Sequence, residues 1–313
     1  MRVLVTGAAG FIGSHVCGRL LARGDHVVGL DLFDDFYDPA RKRRSVAALA
    51  ADRFRLVEGD IRDPAAVAAA FGEAVDVVVH LAARAGVRPS IANPALYASV
   101  NVDGTVALLE ACRARGVRRF VFASSSSVYG GNTKVPFHED DPVDRPVSPY
   151  AATKKAGELL CHTYHHLHGL RISSLRFFTV YGPRQRPEMA IHAFSKAILA
   201  GQSVQLFGAD TSRDYTYVDD VVDGVLAAMD HDAPFRVYNL GNSSPVDLVD
   251  LVGRLERVLG KKAYKESLPM QPGDVQATCA DVSRAKAELG WAPKIPMDEG
   301  LARFAAWLRA GEP

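Results

Sequence analysis

A glycine-rich turn close to the first residue places the strongest constraint on the fold of this chain. Val3-Leu-Val-Thr6 has the apolar, β-branched character of a buried strand, and it is followed by Gly7, Gly10 and Gly13. Glycine lets the backbone come close to a pyrophosphate, and the N–H groups of the helix that follows can bind the anion. The turn therefore predicts a strand–turn–helix unit that binds a dinucleotide.

An acidic residue lies in register with this turn. A second apolar strand, Val27-Val-Gly-Leu30, ends at Asp31, eighteen residues after Gly13. Its carboxylate can hold the adenosine ribose and would repel a 2′-phosphate, so the sequence favours NAD over NADP. The basic run Arg41-Lys-Arg-Arg44 is a competing feature, because such a cluster can bind that phosphate. Since Asp31 occupies the discriminating position, we expect the run to form a solvated helix face.

Short β-branched strands alternate with alanine-rich helical stretches through the first half of the chain. This alternation is typical of an α/β fold with a doubly wound parallel sheet, the Rossmann arrangement. Ligands of such sheets bind beyond the carboxyl ends of the strands. The predicted strands are Val3–Val5, Val27–Asp31, Phe54–Glu58, Val75–His80 and Phe120–Ala123, and the helices between them include Pro64–Phe71 and Val102–Arg115.

The second half of the chain is less regular and richer in Pro, Gly and Arg. We expect residues 1–175, with about 215–242, to form the NAD-binding Rossmann domain. Residues from about 176–214 and 243–313 then form a second, smaller α/β lobe for the substrate. A helix over Tyr217–Met229 and a last strand at Val237–Leu240 return to the first domain.

Composition makes several classes of protein improbable. Because the chain has 37 basic and 36 acidic residues and a net charge of +1, we expect neither nucleic acid nor a membrane as partner. No apolar run reaches transmembrane length, and the first strand begins at once, so we expect no signal peptide. Four cysteines without a Cys-x-x-Cys pair indicate a reducing, cytoplasmic location. We expect no metal site, since Asp219 and Asp220 fit a helix start.

Tyr150 and Lys154 are the most informative pair, in the run Ser148-Pro-Tyr-Ala-Ala-Thr-Lys154. Positions i and i+4 share a helix face, so the ammonium of Lys154 can lie beside the phenol of Tyr150. A neighbouring cation lowers a tyrosine pKa from its usual value of about 10. Tyr150 would then be able to take a proton from a sugar hydroxyl near neutral pH.

Six motifs, taken in order, resemble those of the extended short-chain dehydrogenase/reductase family over essentially the whole chain. They are Thr6-Gly-x-x-Gly-x-x-Gly13, Asp60-Ile61, His80-Leu-Ala-Ala83, Asn101, Ser126-Ser-Val-Tyr-Gly130 and Tyr150-x-x-x-Lys154. The resemblance implies NAD in the first domain and a nucleotide sugar in the second. The NAD contacts that it implies are Gly7, Gly10, Phe11, Ile12, Gly13, Asp31, Asp60, Ile61, Leu81, Ala82, Ala83, Asn101, Tyr150, Lys154 and Phe177.

In that family the tyrosine is the general base or acid, the lysine holds the nicotinamide ribose, and hydroxyl residues bridge to the reacting sugar oxygen. The resemblance implies that these catalytic roles belong to Tyr150, Lys154, Ser125, Ser126 and Ser127.

Dehydratases and decarboxylases of the family commonly place Asp or Glu in the serine positions, as an extra acid or base. The serine run carries no carboxyl group, and a hydroxyl cannot easily protonate a poor leaving group. Elimination and decarboxylation are therefore disfavoured.

The second lobe resembles that of the uronate 4-epimerases of the family, in the stretches 80–88, 176–190 and 270–275. Enzymes for neutral UDP-galactose usually carry asparagine where Thr179 stands and arginine where Gln271 stands. The resemblance implies that Thr179 and Arg186 hold a sugar carboxylate, which the guanidinium fork suits geometrically. The other substrate contacts that it implies are Arg88, Gln205, Phe207, Arg213, Tyr215 and Gln271.

The function implied is 4-epimerisation between UDP-glucuronate and UDP-galacturonate, by hydride transfer to and from tightly bound NAD through a 4-keto intermediate. Three alternatives stay open: 4-epimerisation of a neutral UDP-hexose, decarboxylation or dehydration of the same intermediate, and a catalytically silent NAD sensor. The resemblance also implies a homodimer formed through a helix pair, with Val102–Arg115 and the Tyr150 helix as candidates.

Overall fold

The computed structural model describes residues 1–49, 52–72 and 74–312. The strands of these ranges are β1 (Arg2–Thr6), β2 (His26–Asp31), β3 (Phe54–Glu58), β4 (Val77–His80), β5 (Arg119–Ser125), β6 (Arg171–Phe177), β7 (Thr179–Tyr181), β8 (Ser203–Phe207), β9 (Ser212–Tyr217), β10 (Phe235–Leu240), β11 (Pro245–Asp247) and β12 (Tyr264–Leu268). The helices are α1 (Phe11–Arg23), α2 (Pro39–Ala47), α3 (Pro64–Ala70), α4 (Val87–Ala92), α5 (Pro94–Ala98), α6 (Gly104–Arg115), α7 (Pro149–His168), α8 (Ala190–Ala200), α9 (Val218–Asp230), α10 (Leu248–Leu259), α11 (Ser283–Leu289) and α12 (Met297–Arg309).

A parallel central sheet has the strand order β3-β2-β1-β4-β5-β6-β10. The order reverses direction beside β1, so the chain winds outward to both edges, and the predicted doubly wound fold is confirmed. The returning helix and the last strand are confirmed as α9 and β10. Two smaller sheets, β11-β9-β7 and β12-β8, lie in the second half of the chain.

Helices cover both faces of the central sheet, which explains why its strands appear in the sequence as continuous apolar runs. Val3 and Val5 belong to one core cluster, together with Val222 of α9. Leu4 points the other way and joins the cluster that contains Leu108 of α6. Successive side chains of a strand alternate between faces, so β1 is buried on both sides.

The predicted domain division at residue 175 falls inside β6. This strand continues to Phe177, which pairs with Ser125 of β5 and with Leu240 of β10. The following strand, β7, begins at Thr179 and belongs to the small sheet. Within the described part of the chain, no helix has the length and apolar character needed to cross a membrane.

A buried ion pair joins α7 to the central sheet. Arg176 of β6 donates from Nε and Nη2 to the two carboxylate oxygens of Glu158, at 2.8 and 2.9 Å. Ser124 Oγ donates to the same carboxylate at 2.6 Å, and the guanidinium lies 4.8 Å from the ring centroid of Tyr129. The two-pronged geometry satisfies both charges in a place that water does not reach. The pair therefore fixes α7 against the strands that it crosses.

Arg176→Met should lower the free energy of unfolding by about 3–5 kcal/mol, because it leaves the buried charge of Glu158 without its partner. The double variant Arg176→Met/Glu158→Gln should lose clearly less than the sum of the two single variants. Urea denaturation followed by circular dichroism measures both. Arg113→Met is the matched control, since Arg113 pairs with Glu110 on the exposed face of α6, and it should leave the midpoint nearly unchanged. Losses that simply add would contradict the coupling.

Candidate active site

A cavity of about 430 Å³ opens at the carboxyl ends of the central strands. It brings together most of the residues that the sequence predicts for cofactor, catalysis and the sugar carboxylate. These are Gly7, Gly10, Phe11, Ile12, Gly13, Asp31, Asp60, Ile61, Leu81, Ala82, Ala83, Ser125, Ser126, Ser127, Tyr150, Lys154, Phe177, Thr179 and Arg186.

The glycine turn after β1 leaves no room for side chains. A Cβ atom on Gly13 would lie 2.0 Å from the carbonyl oxygen of Gly7, and one on Gly7 would lie 2.8 Å from the backbone nitrogen of Ala82. Gly7 also has a φ of 69°, which favours glycine. Gly10 precedes α1 and offers no side chain to cap it, and the first residues of α1, Phe11, Ile12 and Gly13, line the cavity. This cradle fits the diphosphate of a dinucleotide.

At the carboxyl ends of β2 and β3, two carboxylates of the cavity have fixed partners. Asp31 accepts hydrogen bonds from the backbone N–H of Ala9 at 2.9 Å and of Phe33 at 2.8 Å. Burial raises the pKa of Asp31, and these two bonds act against that rise. Asp60 is paired with Arg62, with Nη2 and Oδ2 2.5 Å apart, and hydrogen bonds from Arg62 lower the pKa of Asp60. Asp31 is thus held where a ribose diol can reach it.

The expectation of a solvated basic face on α2 is wrong for one residue. Lys42 is only 6% exposed, lines the cavity, and donates from Nζ to the carboxylate of Asp34 at 2.5 Å. Arg43 follows the expectation, since it is exposed and paired with Glu58. A charge run in a sequence does not reveal which of its members turns inward.

Helix α7 places Tyr150 in its first turn, facing the cavity. Ser148 caps the helix, accepting a hydrogen bond from the N–H of Ala151 at 3.1 Å, and Pro149 occupies the first helical position. Lys154 lies one turn later, 4% exposed, and its Nζ donates to the carbonyl oxygen of Ala123 at 2.7 Å.

The predicted lowering of the Tyr150 pKa by Lys154 is wrong for the protein chain itself. Burial raises the pKa of Tyr150, and the opposing influences are a hydrogen bond with Ser125 and the charge of Arg186. The ammonium of Lys154 is directed to Ala123, and burial lowers its own pKa to about 8. The groups that favour the phenolate are therefore Ser125 and Arg186.

The serine run forms a turn at the end of β5. Ser125 caps this turn by accepting a hydrogen bond from the N–H of Ser127 at 3.1 Å, and its Oγ lies 3.1 Å from Ser127 Oγ. Among the described residues that line the cavity, the carboxylates are Asp31, Asp34 and Asp60. Asp31 ends β2, Asp34 follows β2, and Asp60 follows β3. These three acids are held by backbone N–H groups or by basic side chains rather than by the hydroxyls of Tyr150 and the serine turn.

His80 is buried behind the glycine turn and is held by two threonines. Its Nδ1 lies 2.8 Å from Thr6 Oγ1 and its Nε2 3.1 Å from Thr105 Oγ1. Thr105 donates to the carbonyl oxygen of Asn101, so it accepts from Nε2–H, and Thr6 donates to Nδ1. Burial, with a smaller contribution from Lys154, lowers the pKa of His80 to about 3. The ring is therefore neutral and links β1, β4 and α6.

Asn101 lies outside the cavity lining, in the π-helical turn Ser99–Asp103 before α6. Its Oδ1 accepts from the N–H of Arg84 at 2.8 Å, and its Nδ2 donates to the carbonyl oxygen of Arg84 and to Thr153 Oγ1, both at 3.0 Å. The structure thus gives Asn101 protein partners on each side. Its place is between the loop after β4 and the first turns of α7.

The predicted sugar-carboxylate residues face the cavity from the second half of the chain. Thr179 begins β7. Arg186 is half-buried, its Nε 3.1 Å from Glu188 Oε1 and its guanidinium 5.5 Å from the ring centroid of Phe36.

Sequence reasoning missed several residues of the cavity wall, among them Arg84, Asp34, Phe36 and Lys42. Arg84 lies within the stretch 80–88, which resembles that of the uronate 4-epimerases, so the sequence did contain a signal for this residue. The loop residues Asp34 and Phe36 carry no recognisable pattern.

The remaining predicted substrate residues lie outside the cavity lining. Arg88 pairs with Asp274 at 2.9 Å and lies 5.1 Å from the ring centroid of Phe207. Arg213 is close enough to interact electrostatically with both charges of that pair, so these residues form one group. Gln271 accepts a hydrogen bond from the N–H of Asp274 in the same loop.

Two predicted contacts lie away from that group. Gln205 is exposed on β8. Tyr215 is 3% exposed and packs edge-on against Tyr181 in the main core. It is buried because its ring projects into the core that also contains Tyr181 and Tyr217.

Four matches to known proteins point to the same family. Residues 3–241 match the model of the NAD dependent epimerase/dehydratase family. UDP-glucuronate 4-epimerase 3 of Arabidopsis thaliana is 48% identical, over 97% of this chain and 76% of that protein. The crystal structure of UDP-glucuronic acid 4-epimerase from Bacillus cereus, in complex with UDP-glucuronic acid and NAD, has a TM-score of 0.93 at 38% identity over 99% of both chains. That of UDP-glucose 4-epimerase from Thermotoga maritima, with UDP-glucose, has a TM-score of 0.92 at 33% identity, again over 99% of both.

Gly13→Ala should weaken NAD binding by about a hundredfold or more, because the new methyl group would displace the Gly7 carbonyl and deform the cradle. The measurement is the NAD content of the purified protein together with a calorimetric titration. Gly18→Ala, on the same helix, is the matched control, since its methyl group would meet only a Leu49 side-chain carbon at 3.4 Å. Equal NAD binding by both variants would contradict the role of the turn.

His80 should make the folded state less stable as the pH falls from about 6.5 towards 3. The unfolded chain binds a proton at this residue below about pH 6.5, whereas the folded chain does not until about pH 3. Between about pH 7.5 and pH 5 the expected loss is about 2 kcal/mol. His80→Asn should remove that share of the pH dependence in urea denaturation, and His166→Asn, at an exposed position, should not. An unchanged slope in His80→Asn would show that folding does not lower the pKa of His80.

Proposed function

Because this chain belongs to the NAD dependent epimerase/dehydratase family, we propose that it interconverts UDP-glucuronate and UDP-galacturonate by inverting C4 of the sugar. The observation that carries the proposal is the composition of one cavity wall. There Tyr150 hydrogen-bonds with Ser125 and lies near the charge of Arg186. Each of the described cavity acids, Asp31, Asp34 and Asp60, is already held by backbone N–H groups or by basic side chains. The similarity to UDP-glucuronate 4-epimerases along nearly the whole chain supports the same activity.

NAD is the cofactor. The glycine cradle would hold its diphosphate, Asp31 its adenosine ribose, and Lys154 its nicotinamide ribose. When bound, NAD would supply the hydride acceptor and donor for C4, so the cofactor would be regenerated within each cycle and need not be added.

Tyr150 performs the proton transfers at the 4-hydroxyl oxygen. Its phenol gives up a proton most readily when Ser125 hydrogen-bonds it and Arg186 adds positive charge nearby. As C4 is oxidised, the phenolate takes the hydroxyl proton. The 4-keto sugar then turns about its diphosphate linkage and presents its other face. Tyr150 returns the proton as C4 is reduced with the opposite configuration.

The serine turn keeps this intermediate from other reactions. Elimination or decarboxylation is promoted by a carboxyl group that can act as an additional acid or base, and Ser125, Ser126 and Ser127 offer only hydroxyls. A 4-ketone beside the C5 carboxylate is nevertheless a β-keto acid that can lose carbon dioxide. We infer that Thr179 and Arg186 hold the carboxylate out of alignment with the carbonyl π system and keep its charge localised.

The uridine diphosphate would lie against the group formed by Arg88, Phe207 and Arg213. Two guanidinium groups with Asp274 between them leave a net positive charge, which suits a diphosphate. Phe207 offers a ring face for the uracil. Gln271 belongs to the same loop as Asp274, whereas the positions of Gln205 and Tyr215 do not favour direct contacts.

A neutral UDP-hexose is the second candidate substrate, because the proton transfer by Tyr150 would be the same. Thr179 and Arg186 would discriminate between the uronate and the hexose, because the neutral C6 hydroxymethyl group of a hexose gives them no anionic partner.

We also propose a cytoplasmic homodimer formed through α6 and α7. Leu159 and Leu167 are 57% and 64% exposed on α7, which fits a helix-pair interface. The four cysteines are unpaired and three of them are buried, as suits a reducing compartment. Light scattering should give a dimer mass for the protein and a monomer mass for Leu159→Glu. A wild-type monomer would contradict the interface.

The activity is tested by proton NMR of the purified protein with UDP-glucuronate and, separately, with UDP-glucose, in buffer without added NAD. We expect UDP-galacturonate from the first substrate and little change in the second. UDP-pentose with carbon dioxide would identify a decarboxylase, and turnover of UDP-glucose alone a hexose epimerase. Either outcome would contradict the proposal.

Arg186→Ala should raise the KM for UDP-glucuronate by about tenfold or more, because a charge-assisted pair with the carboxylate is lost. The proportion of UDP-pentose among the products should rise with it. UDP-glucose is the control substrate, and its KM should change far less. Unchanged kinetics and product ratio would show that Arg186 does not hold the carboxylate.

A further inference from the structure

A second arginine, Arg84, lies on the same stretch of cavity wall as Arg186. Its guanidinium is 5.6 Å from the ring centroid of Phe36, and that of Arg186 is 5.5 Å from the same centroid. Both side chains line the cavity and are largely buried, at 17% and 20% exposed. Phe36 therefore holds two guanidinium groups near the end of the cavity that contains Tyr150.

The backbone of Arg84 is fixed relative to Tyr150. The side-chain amide of Asn101 forms hydrogen bonds with both the N–H and the carbonyl oxygen of Arg84 and with Thr153 in α7. The next residue in the chain, Ala85, accepts a hydrogen bond from the hydroxyl of Tyr97 at 2.7 Å. The ring of Tyr97 packs edge-on against Tyr150, with centroids 6.3 Å apart. Arg84 is thus placed with the rigidity that substrate discrimination requires.

The charge of Arg84 is only partly neutralised. Its partner is Asp34, with Nη1 and Oδ2 3.0 Å apart. Asp34 also accepts from Lys42 Nζ through its other oxygen, so one carboxylate serves two buried cations. Arg186 has its own acidic neighbour, Glu188, which is 44% exposed and therefore screened by water. Both arginines therefore keep part of their charge for a ligand in the cavity.

We propose that Arg84 is a specificity-determining residue that binds the carboxylate of the uronate together with Arg186. The inference rests on the proposed function and adds a second cation to the pair formed by Thr179 and Arg186. A guanidinium has five N–H donors in a planar fork. Arg84 can therefore keep Nη1 on Asp34 and direct other donors to the substrate. A neutral hexose offers these donors no charge, so Arg84 favours the uronate over the hexose.

Arg84→Met in the NAD-loaded protein tests this directly. Calorimetry should show affinity for UDP-glucuronate weakened by about tenfold or more, and affinity for UDP-glucose changed by less than about threefold. In kinetics the loss should appear in KM rather than in kcat. Arg84→Lys, which keeps the charge but not the fork, should recover part of the affinity. Equal losses for both sugars, or loss of bound NAD, would overturn the assignment.

Asp34→Asn separates substrate binding from a structural role. If Arg84 acts only by pairing with Asp34 to hold the loop after β2, then Asp34→Asn and Arg84→Met should weaken uronate binding alike. If Arg84 binds the carboxylate, Asp34→Asn removes a competing anion, and affinity for UDP-glucuronate should be retained or increased. A parallel loss in both variants would refute the proposal.

Arg43→Met is the matched control. Arg43 also lies over a phenylalanine ring, that of Phe33 at 4.4 Å, and also pairs with an acid, Glu58. It is exposed and outside the cavity lining, so the ratio of the two affinities should stay as in the wild type.

The affinity measurements on Arg84→Met and the activity test on the wild type can fail independently. If the wild type does not convert UDP-glucuronate, the proposed function fails; if it does and the affinity ratio of Arg84→Met is unchanged, only the role of Arg84 fails.

Discussion

The arrangement of the site depends on the hydrogen bonds of one buried amide, that of Asn101. It joins the backbone of Arg84 after β4 to Thr153 in the first turns of α7, two segments that meet only through tertiary contacts. A buried amide that lost one of these partners would be left with an unsatisfied group, which costs about 1–3 kcal/mol. The two segments are therefore held in one relative position. Tyr150, its edge-on neighbour Tyr97 and the cavity cation Arg84 keep their places for the same reason.

Within that frame, burial and charge set the chemistry. Burial opposes ionisation of Tyr150, and Ser125 and Arg186 oppose burial, so the phenol stays protonated until a neighbouring group favours the phenolate. The serine turn supplies hydroxyls that can orient a sugar oxygen. Each of the described cavity acids, Asp31, Asp34 and Asp60, is held by backbone N–H groups or by basic side chains. Arg84 and Arg186 lie beside the ring of Phe36, where we propose that the uronate carboxylate binds. Because no described cavity acid is free of such partners, none is available to promote elimination, which favours inversion at C4.

Local motifs made the cofactor half of the site predictable from the sequence. The glycine turn, Asp31 and the Tyr150–Lys154 spacing each act through a few adjacent residues, so their geometry follows from the chain itself. Contacts between distant loops were not predictable. No motif near Asp34 or Phe36 in the sequence indicates that Arg84 lies beside both of them or that Arg186 lies beside Phe36. Lys42 points inward because it pairs with Asp34, whose position is not evident from the sequence. The burial of Tyr215 was not predictable either, because it results from packing in the core beside Tyr181. The predicted shift in the pKa of Tyr150 had the wrong direction because the sequence shows the charged neighbour of Tyr150 but not its burial.

The central claim is that the C4 hydrogen leaves the sugar as hydride and returns to the same carbon within one active site. UDP-glucuronate carrying deuterium at C4, incubated with the protein in ordinary water without added NAD, tests it directly by proton NMR and mass spectrometry. The account predicts UDP-galacturonate that retains the deuterium at C4. Replacement of the deuterium by solvent hydrogen during epimerisation would contradict the account, because the hydrogen would then have left as an exchangeable proton.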